Sequence, residues 1–277
     1  MTKITSSFSV GFIGGGNMAR SIIGGLTTNK QLDLNIQVFD QSKQQLDQLH
    51  HDFGIQVANS NQALIDQCDV VVLAVKPQVM KSVLTELDTS KSSTVYLSIA
   101  AGVTITSITK WLGSKCPVIR SMPNTPALVQ CGATGLFANS LASEAHKSQA
   151  NIIMEATGLA LWVDSEDLLD SVTALSGSGP AYYFLVMEAM QAAGEKLGLD
   201  PQTARKLTEQ TALGAATLAV QSDEAPAELR RRVTSPGGTT EQAINTFLNN
   251  DLPEIFGKAM QAAYDRSKEL ATELDKN

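Results

Sequence analysis

The sequence is poor in the side chains that carry most protein chemistry. Its 277 residues include three cysteines and three histidines, and from Lys147 to Asn277 there is neither. The second half therefore lacks the usual general acid–base group and the usual thiol nucleophile. Cys68, Cys116 and Cys131 are odd in number and widely spaced, which argues against a disulfide framework or a paired-cysteine redox motif; reduced, mostly buried thiols are expected. His50, His51 and His146 show no metal-ligand spacing with each other or with the cysteines, so no metal site is expected. Basic residues are also in deficit. A net charge of −7 speaks against a nucleic-acid-binding domain, and only Arg230 to Arg232 forms a basic cluster. No apolar run approaches the ~20 residues a membrane span needs. Met1 to Ser9 holds one lysine and no apolar core, which suggests a short frayed tail rather than a secretory signal, and a cytoplasmic location is expected.

What is present reads as a globular protein, 43% hydrophobic and 18% charged, with length for about two domains. Phe8 to Ile13 is a short apolar run ending in Gly14-Gly15-Gly16-Asn17-Met18-Ala19, after which Ile22, Ile23 and Leu26 continue with helical spacing. Strand, glycine turn and helix follow in the order a dinucleotide fold requires. Gly14 permits the tight turn, Gly16 the close approach of a pyrophosphate, and Ala19 takes the third, small position. Gly24-Gly25 should weaken the helix end. Ile36, Val38 and Phe39 form a second strand ending at Asp40, placed to meet an adenosine ribose.

Further strands are expected at Ile55 to Val57, Asp69 to Val75, Thr94 to Ser98, Pro117 to Arg120, Ala133 to Ala138 and Leu159 to Val163. Helices are expected at Ser42 to Phe53, Asn59 to Gln67 and Glu144 to Thr157. Asp69 to Val75 is apolar throughout, as a parallel strand buried on both faces would be. The small residues after Ser98 leave room for a cofactor ring or for close helix packing. Pro123 and Pro126 suggest a rigid loop from Ser121 to Pro126. The first domain should end near Asp164, giving domains of 1–164 and 165–277. Beyond it, helices are expected at Ala181 to Leu197, Pro201 to Val220, Pro226 to Arg232, Glu241 to Asn249 and Pro253 to Leu274. Ala181 to Met190 and Thr211 to Val220 are apolar all round, which implies burial that so small a helical domain cannot supply alone. A partner chain is expected to cover them.

Two loops in this half combine hydroxyls with helix starts. Ala174 to Tyr182 reads Ala-Leu-Ser-Gly-Ser-Gly-Pro-Ala-Tyr; Pro180 suits a first helical turn, and Ser176 and Ser178 with free amides would form an anion or polar-ligand site, or a plain Ser cap. Val233 to Thr240, Val-Thr-Ser-Pro-Gly-Gly-Thr-Thr, repeats the arrangement before Glu241. No Ser–His–Asp set can be assembled around Ser176, Ser178 or Ser235. Hydride transfer fits better, because a nicotinamide cofactor carries that chemistry and the protein need only align donor and acceptor.

This pair of motifs resembles the signature of the 1-pyrroline-5-carboxylate reductase family, and the resemblance extends to Gly11 to Ala19, Ala74 to Pro77, Ala100 to Thr104 and Val118 to Pro126. It implies an α/β Rossmann dinucleotide-binding domain followed by an all-α dimerisation and substrate domain, and reduction of 1-pyrroline-5-carboxylate to L-proline. It further implies that Ser235, Gly238 and Thr239 hold the substrate carboxylate and that the Thr240 hydroxyl meets the ring nitrogen. Cofactor contacts map onto Gly14, Gly16, Asn17, Met18, Asn61, Ala74, Lys76, Pro77, Ala100 and Gly102. On cofactor choice, Asp40 favours the free 2′-hydroxyl of NADH, whereas Ser42 and Lys43 would suit the phosphate of NADPH; both cofactors are retained. Arg230 to Arg232 would steer the anionic substrate or simply complement a helix C-terminus. A homodimer or larger homo-oligomer is expected. Two other readings stand beside this one. A β-hydroxyacid dehydrogenase would want a lysine in the helix after the glycine turn, and Ala181 to Met190 has none. A nucleotide-sensing module would bind cofactor without turnover.

Overall fold

The computed structural model describes residues 7–29, 32–90, 93–113 and 115–276. Most of the expected N-terminal tail lies outside the described residues; Ser7 to Ser9, however, belong to the first strand. In chain order the elements are β1 (Ser7–Ile13), α1 (Asn17–Thr28), β2 (Asp33–Phe39), α2 (Lys43–Phe53), β3 (Gln56–Val57), α3 (Asn61–Gln67), β4 (Val70–Leu73), α4 (Pro77–Thr85), β5 (Val95–Ser98), α5 (Ile105–Trp111), β6 (Val118–Met122), β7 (Gly132–Ala138), α6 (Glu144–Glu155) and β8 (Gly158–Trp162). Then follow α7 (Leu168–Val172), α8 (Gly179–Lys196), α9 (Pro201–Gln221), α10 (Pro226–Arg232), α11 (Thr239–Asn249) and α12 (Leu252–Lys276).

The described residues form two compact units. One runs to Ser178 and takes back the chain from Ala263 onward; the other is Gly179–Ala262. The first is built on an eight-stranded sheet of order β3-β2-β1-β4-β5-β6-β7-β8. β1 to β6 are parallel. β7 turns back antiparallel to β6, because the nine residues between them are too few for a crossover helix. They hold a 3₁₀ turn at Thr125–Val129, with Pro126 in its first turn. The rigid loop expected from Ser121 therefore starts late: Ser121 and Met122 still pair with Leu136 and Gly135.

Each face of the sheet buries its own core. On one side α1 and α6 set Ile22, Ile23, Ile153 and Met154 against Val10, Phe12 and Val72. On the other, Leu64, Met80, Leu84 and Ile108 of α3, α4 and α5 cover Ile13, Val71 and Tyr96, with Leu274 of α12 packed beside them. The central strand β4 is fully covered, which explains its unbroken valine run. The glycine pair in α1 does not shorten that helix. Gly25 is buried, and a Cβ there would stand 2.0 Å from the Ala156 carbonyl, so glycine is required for α1 to approach the end of α6.

The second unit is helical. Asp200 caps α9 by accepting from the amides of Gln202 and Thr203. In the single chain Tyr183, Phe184 and Leu185 of α8 are 69%, 62% and 65% exposed, and Leu213 and Leu218 of α9 are 60% and 65% exposed. The burial that the all-apolar pattern implies is thus not met inside one chain.

Candidate active site

β1, β2, β4 and β5 all end at one edge of the sheet, and the segments just past them carry Gly14 to Met18, Asp40, Ala74 to Pro77 and Ala100 to Gly102. The strand order changes direction at β1, which pairs with β2 on one side and β4 on the other. In open α/β sheets the crevice beyond such a switch point receives the ligand.

Gly14 has φ of 101°, and a Cβ would lie 2.8 Å from the Ala74 carbonyl, so the turn admits only glycine. Its N–H donates to the Phe39 carbonyl, and the Ala74 N–H to that of Ile13; the turns after β1, β2 and β4 are thereby locked together. Gly16 differs. Its φ is an ordinary −67°, and nothing stands within 4 Å of where its Cβ would be. Neither backbone strain nor internal packing calls for glycine here, which leaves room for an incoming pyrophosphate at the α1 N-terminus. Gly16 is the N-cap and lends no side chain to the first-turn amides. Asn17 and Met18 open α1, the first exposed and the second partly packed on the core.

Asp40 is held by two amides, Gly15 N–H to Oδ2 and Ser42 N–H to Oδ1, both at 2.8 Å. Its carboxylate thus braces the glycine turn from the end of β2. Ser42 caps α2 by accepting from the Gln45 amide, which engages the hydroxyl otherwise suited to a phosphate. Asn61, at the start of α3, has a shielded Oδ1 with no hydrogen-bond partner among the described residues. Lys76 is the exposed N-cap of α4 and Pro77 its first residue. Ala100 is buried, with its amide on the Ser98 hydroxyl. Gly102 has φ of 74° and lies under Leu270 and Leu274 of α12, so turn geometry and packing explain its identity without a ligand. The uncapped amides, the open space at Gly16 and the unpartnered Asn61 oxygen suit a dinucleotide.

Ser176 to Ser178 depart from the expected helix start. α7 continues into a π turn over Thr173–Gly177, and the Ser178 N–H donates to the Thr173 carbonyl while the Ser176 hydroxyl donates to Val172. The Ser178 amide is therefore not free. π turns gather at functional sites, and this one closes the first unit. A Cβ on Gly177 would meet the Met122 side chain at 2.7 Å.

In the second unit, Gly237 has φ of 71° and Gly238 is the N-cap of α11, which starts two residues earlier than expected. The Gly238 N–H donates to the Ser235 carbonyl, closing the Ser-Pro-Gly-Gly turn. No side chain caps α11, so the amides of Thr239 and Thr240 face outward from an exposed first turn. Glu241 reaches back to the Gly237 N–H at 2.8 Å. The Thr240 hydroxyl makes no hydrogen bond among the described residues, whereas that of Thr234 donates back to the Arg230 carbonyl of α10 and that of Thr246 to Gln242 within α11. The arginine cluster is largely spoken for: Arg231 pairs with Glu228, and Arg232 with Glu224 and Glu228.

Sequence reasoning passes over three polar residues that order the first unit. Glu166 accepts from the Ile105 N–H at 2.8 Å and from the buried Arg120 guanidinium at 3.0 Å, fixing the start of α5 just after Ala100 to Gly102. Asn124 links the segment after β6 to Ala133 of β7 and to Ser176. An arginine inside an apolar strand is a usable signal for Arg120; Glu166, between β8 and α7, and Asn124 give none until their contacts are seen.

Comparison with known proteins agrees with this geometry. Residues 166–270 match the pyrroline-5-carboxylate reductase dimerisation model, and residues 9–102 match that of NADP oxidoreductases described as coenzyme F420-dependent. A pyrroline-5-carboxylate reductase of Pseudomonas aeruginosa is 50% identical, over 96% of this chain and 97% of its own. A pyrroline-5-carboxylate reductase structure from Coxiella burnetii is 47% identical with a TM-score of 0.90, covering 95% of this chain and 98% of that one. A Plasmodium falciparum pyrroline carboxylate reductase solved with NADP bound is 29% identical with a TM-score of 0.82, at the same coverage. With its two-unit fold and near full-length identity to these relatives, the chain belongs to the pyrroline-5-carboxylate reductase family.

Proposed function

We propose that the protein reduces 1-pyrroline-5-carboxylate to L-proline, the last step of proline biosynthesis, using NADPH or NADH. A reduced nicotinamide cofactor, when bound, supplies the hydride. Gly14, Gly16, Asn17 and Met18 would receive its pyrophosphate, Asp40 and Asn61 its adenosine end, and Ala74, Lys76, Pro77, Ala100 and Gly102 its nicotinamide side. Ser235, Gly238 and Thr239 would hold the substrate carboxylate, and Ser176 and Ser178 would add substrate contacts from the turn before α8.

The observation that carries the reading is the first turn of α11, where uncapped amides lie beside an unclaimed threonine hydroxyl. Such a helix start attracts a carboxylate. A protonated cyclic imine is already an electrophile, so no strong acid is required. The Thr240 hydroxyl would accept a hydrogen bond from the iminium N–H, orient the ring, and keep contact with the nitrogen as hydride adds to carbon. This explains a reductase site without histidine or cysteine in its second half. The Plasmodium relative's NADP supports a nicotinamide cofactor here.

The match to a dimerisation model and the exposed apolar faces of α8 and α9 support a homodimer or higher homo-oligomer. The start of that match at residue 166 supports functional domains of 1–164 and 165–277, although α7 and the π turn fold with the first unit. No described helix is long and apolar enough to cross a membrane, and a cytoplasmic site of action suits the proposed biosynthetic role. The test is oxidation of reduced cofactor by the purified protein with the imine as acceptor, followed by identification of proline. Cofactor binding without oxidation would leave only a sensing module.

A further inference from the structure

We propose that Asn124 is a positioning residue for this reduction, its side-chain amide standing in for the backbone N–H that Pro180 cannot provide to the Ser176 carbonyl. This rests on the reading above that Ser176 and Ser178 contact the substrate.

In a helix the Ser176 carbonyl would accept from residue 180. That residue is proline and has no N–H. The vacancy falls at the junction of the π turn with α8, where the chain leaves the first unit. Asn124 Nδ2 fills it at 2.9 Å from 52 residues away. Its Oδ1 meanwhile accepts from the Ala133 N–H at 2.9 Å, and the residue is 8% exposed. Both ends of one short side chain are thus committed, one to β7 and one to the turn. An amide can do this because it donates from nitrogen and accepts at oxygen. The near-isosteric carboxylate of aspartate would present oxygen to oxygen at Ser176.

The same segment is confined from below, since Gly177 sits against the Met122 side chain and the Ser178 N–H is tied to Thr173. The Ser176 and Ser178 hydroxyls are therefore presented by a turn whose free carbonyl is pinned to the sheet. Losing the pin would let the turn relax toward other registers without touching the glycine turn after β1. The predicted effect is selective, falling on alignment of the imine and sparing cofactor affinity.

The experiment compares wild type, Asn124→Ala, Asn124→Asp and Asn124→Ala with Pro180→Ala. Leaving a buried acceptor unsatisfied corresponds to a loss of about tenfold or more in kcat/KM for the imine, expected mainly in kcat, with the Kd for reduced cofactor within about twofold of wild type. Asn124→Asp keeps the acceptor for Ala133 and should lose as much as Asn124→Ala. Adding Pro180→Ala returns an N–H at residue 180 and should recover part of the loss. Unchanged kcat/KM, an equal loss of cofactor affinity, a harmless Asn124→Asp, or no recovery with Pro180→Ala would each overturn the proposal. If the Asn124 variants do not fold, amide exchange in the wild type decides: L-proline should slow exchange across 173–182, and no slowing there sinks the idea. A wild type that does not turn over the imine overturns the functional reading and this inference with it; an active wild type with an indifferent Asn124→Ala overturns this inference alone.

Discussion

Thr240 and Asp40 each do one thing that a substitution can remove. The unclaimed Thr240 hydroxyl would form a charge-assisted bond to the substrate nitrogen, worth about 1.5–3 kcal/mol. Thr240→Ala should therefore lower kcat/KM by about tenfold or more, measured by steady-state kinetics, and an unchanged value would remove Thr240 from the site. Asp40 is already anchored by the Gly15 and Ser42 amides, so its negative charge is fixed next to the glycine turn. Asp40→Ser should shift the ratio of kcat/KM for NADPH over NADH upward; a ratio indifferent to the change would show that Asp40 does not set cofactor choice. Among the thiols, burial pushes Cys68 up to about 12, Cys116 is buried, and Cys131 alone is exposed. The expectation of mostly buried thiols holds for two of three. Native protein should react with a thiol reagent first at Cys131, and Cys131→Ser should abolish the fast phase. The glycine turn was legible in the sequence because tight turns leave few residue choices. The Asn124 link was not, because its donor and acceptor meet only after β6, β7 and the π turn have assembled.

At the level of elements, the parallel strands and their helices follow from hydrophobic periodicity and cap residues. Ser60 accepts from Ala63 and Thr104 from Ser107, as capping chemistry leads one to expect. The π turn escaped sequence reading because Ser-Gly-Ser-Gly-Pro signals a break, whereas α7, the turn and α8 follow almost without interruption. The Arg120–Glu166 pair, buried at the arginine and partly exposed at the glutamate, binds β6 to the start of α5. Glu166→Ala would strand a buried guanidinium and an N-terminal amide, at a cost of about 3–5 kcal/mol, read as a lowered midpoint in urea unfolding. Asp200 offers a test by pH. The Thr203 contact, aided by backbone amides, holds its carboxyl below the ordinary range. A lowered folded-state pKa means the cap contributes above the unfolded value of about 4 and is lost as pH falls through the folded one. Asp200→Asn should flatten that acid limb of the stability curve, and an unaltered limb would show the cap to be irrelevant to it.

For the whole molecule, α8 and α9 leave a broad apolar surface uncovered in the single chain. Interfaces of obligate assemblies bury more than ~2,000 Å², and sedimentation at micromolar concentration should show a dimer or larger species; a fully active monomer would contradict this. The sequence signals this need because Tyr183, Phe184 and Leu185 leave no polar side on their helix. It hides the division of the chain, since no break in composition marks Ala263. From that residue onward the chain rejoins the first unit, where Ser267 donates to the buried Asp170 at 2.6 Å and Leu274 covers Gly102. During synthesis the sheet emerges first, at roughly 5–20 residues per second. The residues from Ala263 onward that complete its core are not translated until the entire helical unit has been made. The nascent first unit thus waits with Gly102 uncovered and Asp170 unpaired, a window in which a chaperone or a protease meets a nearly finished sheet whose closing piece has yet to be translated.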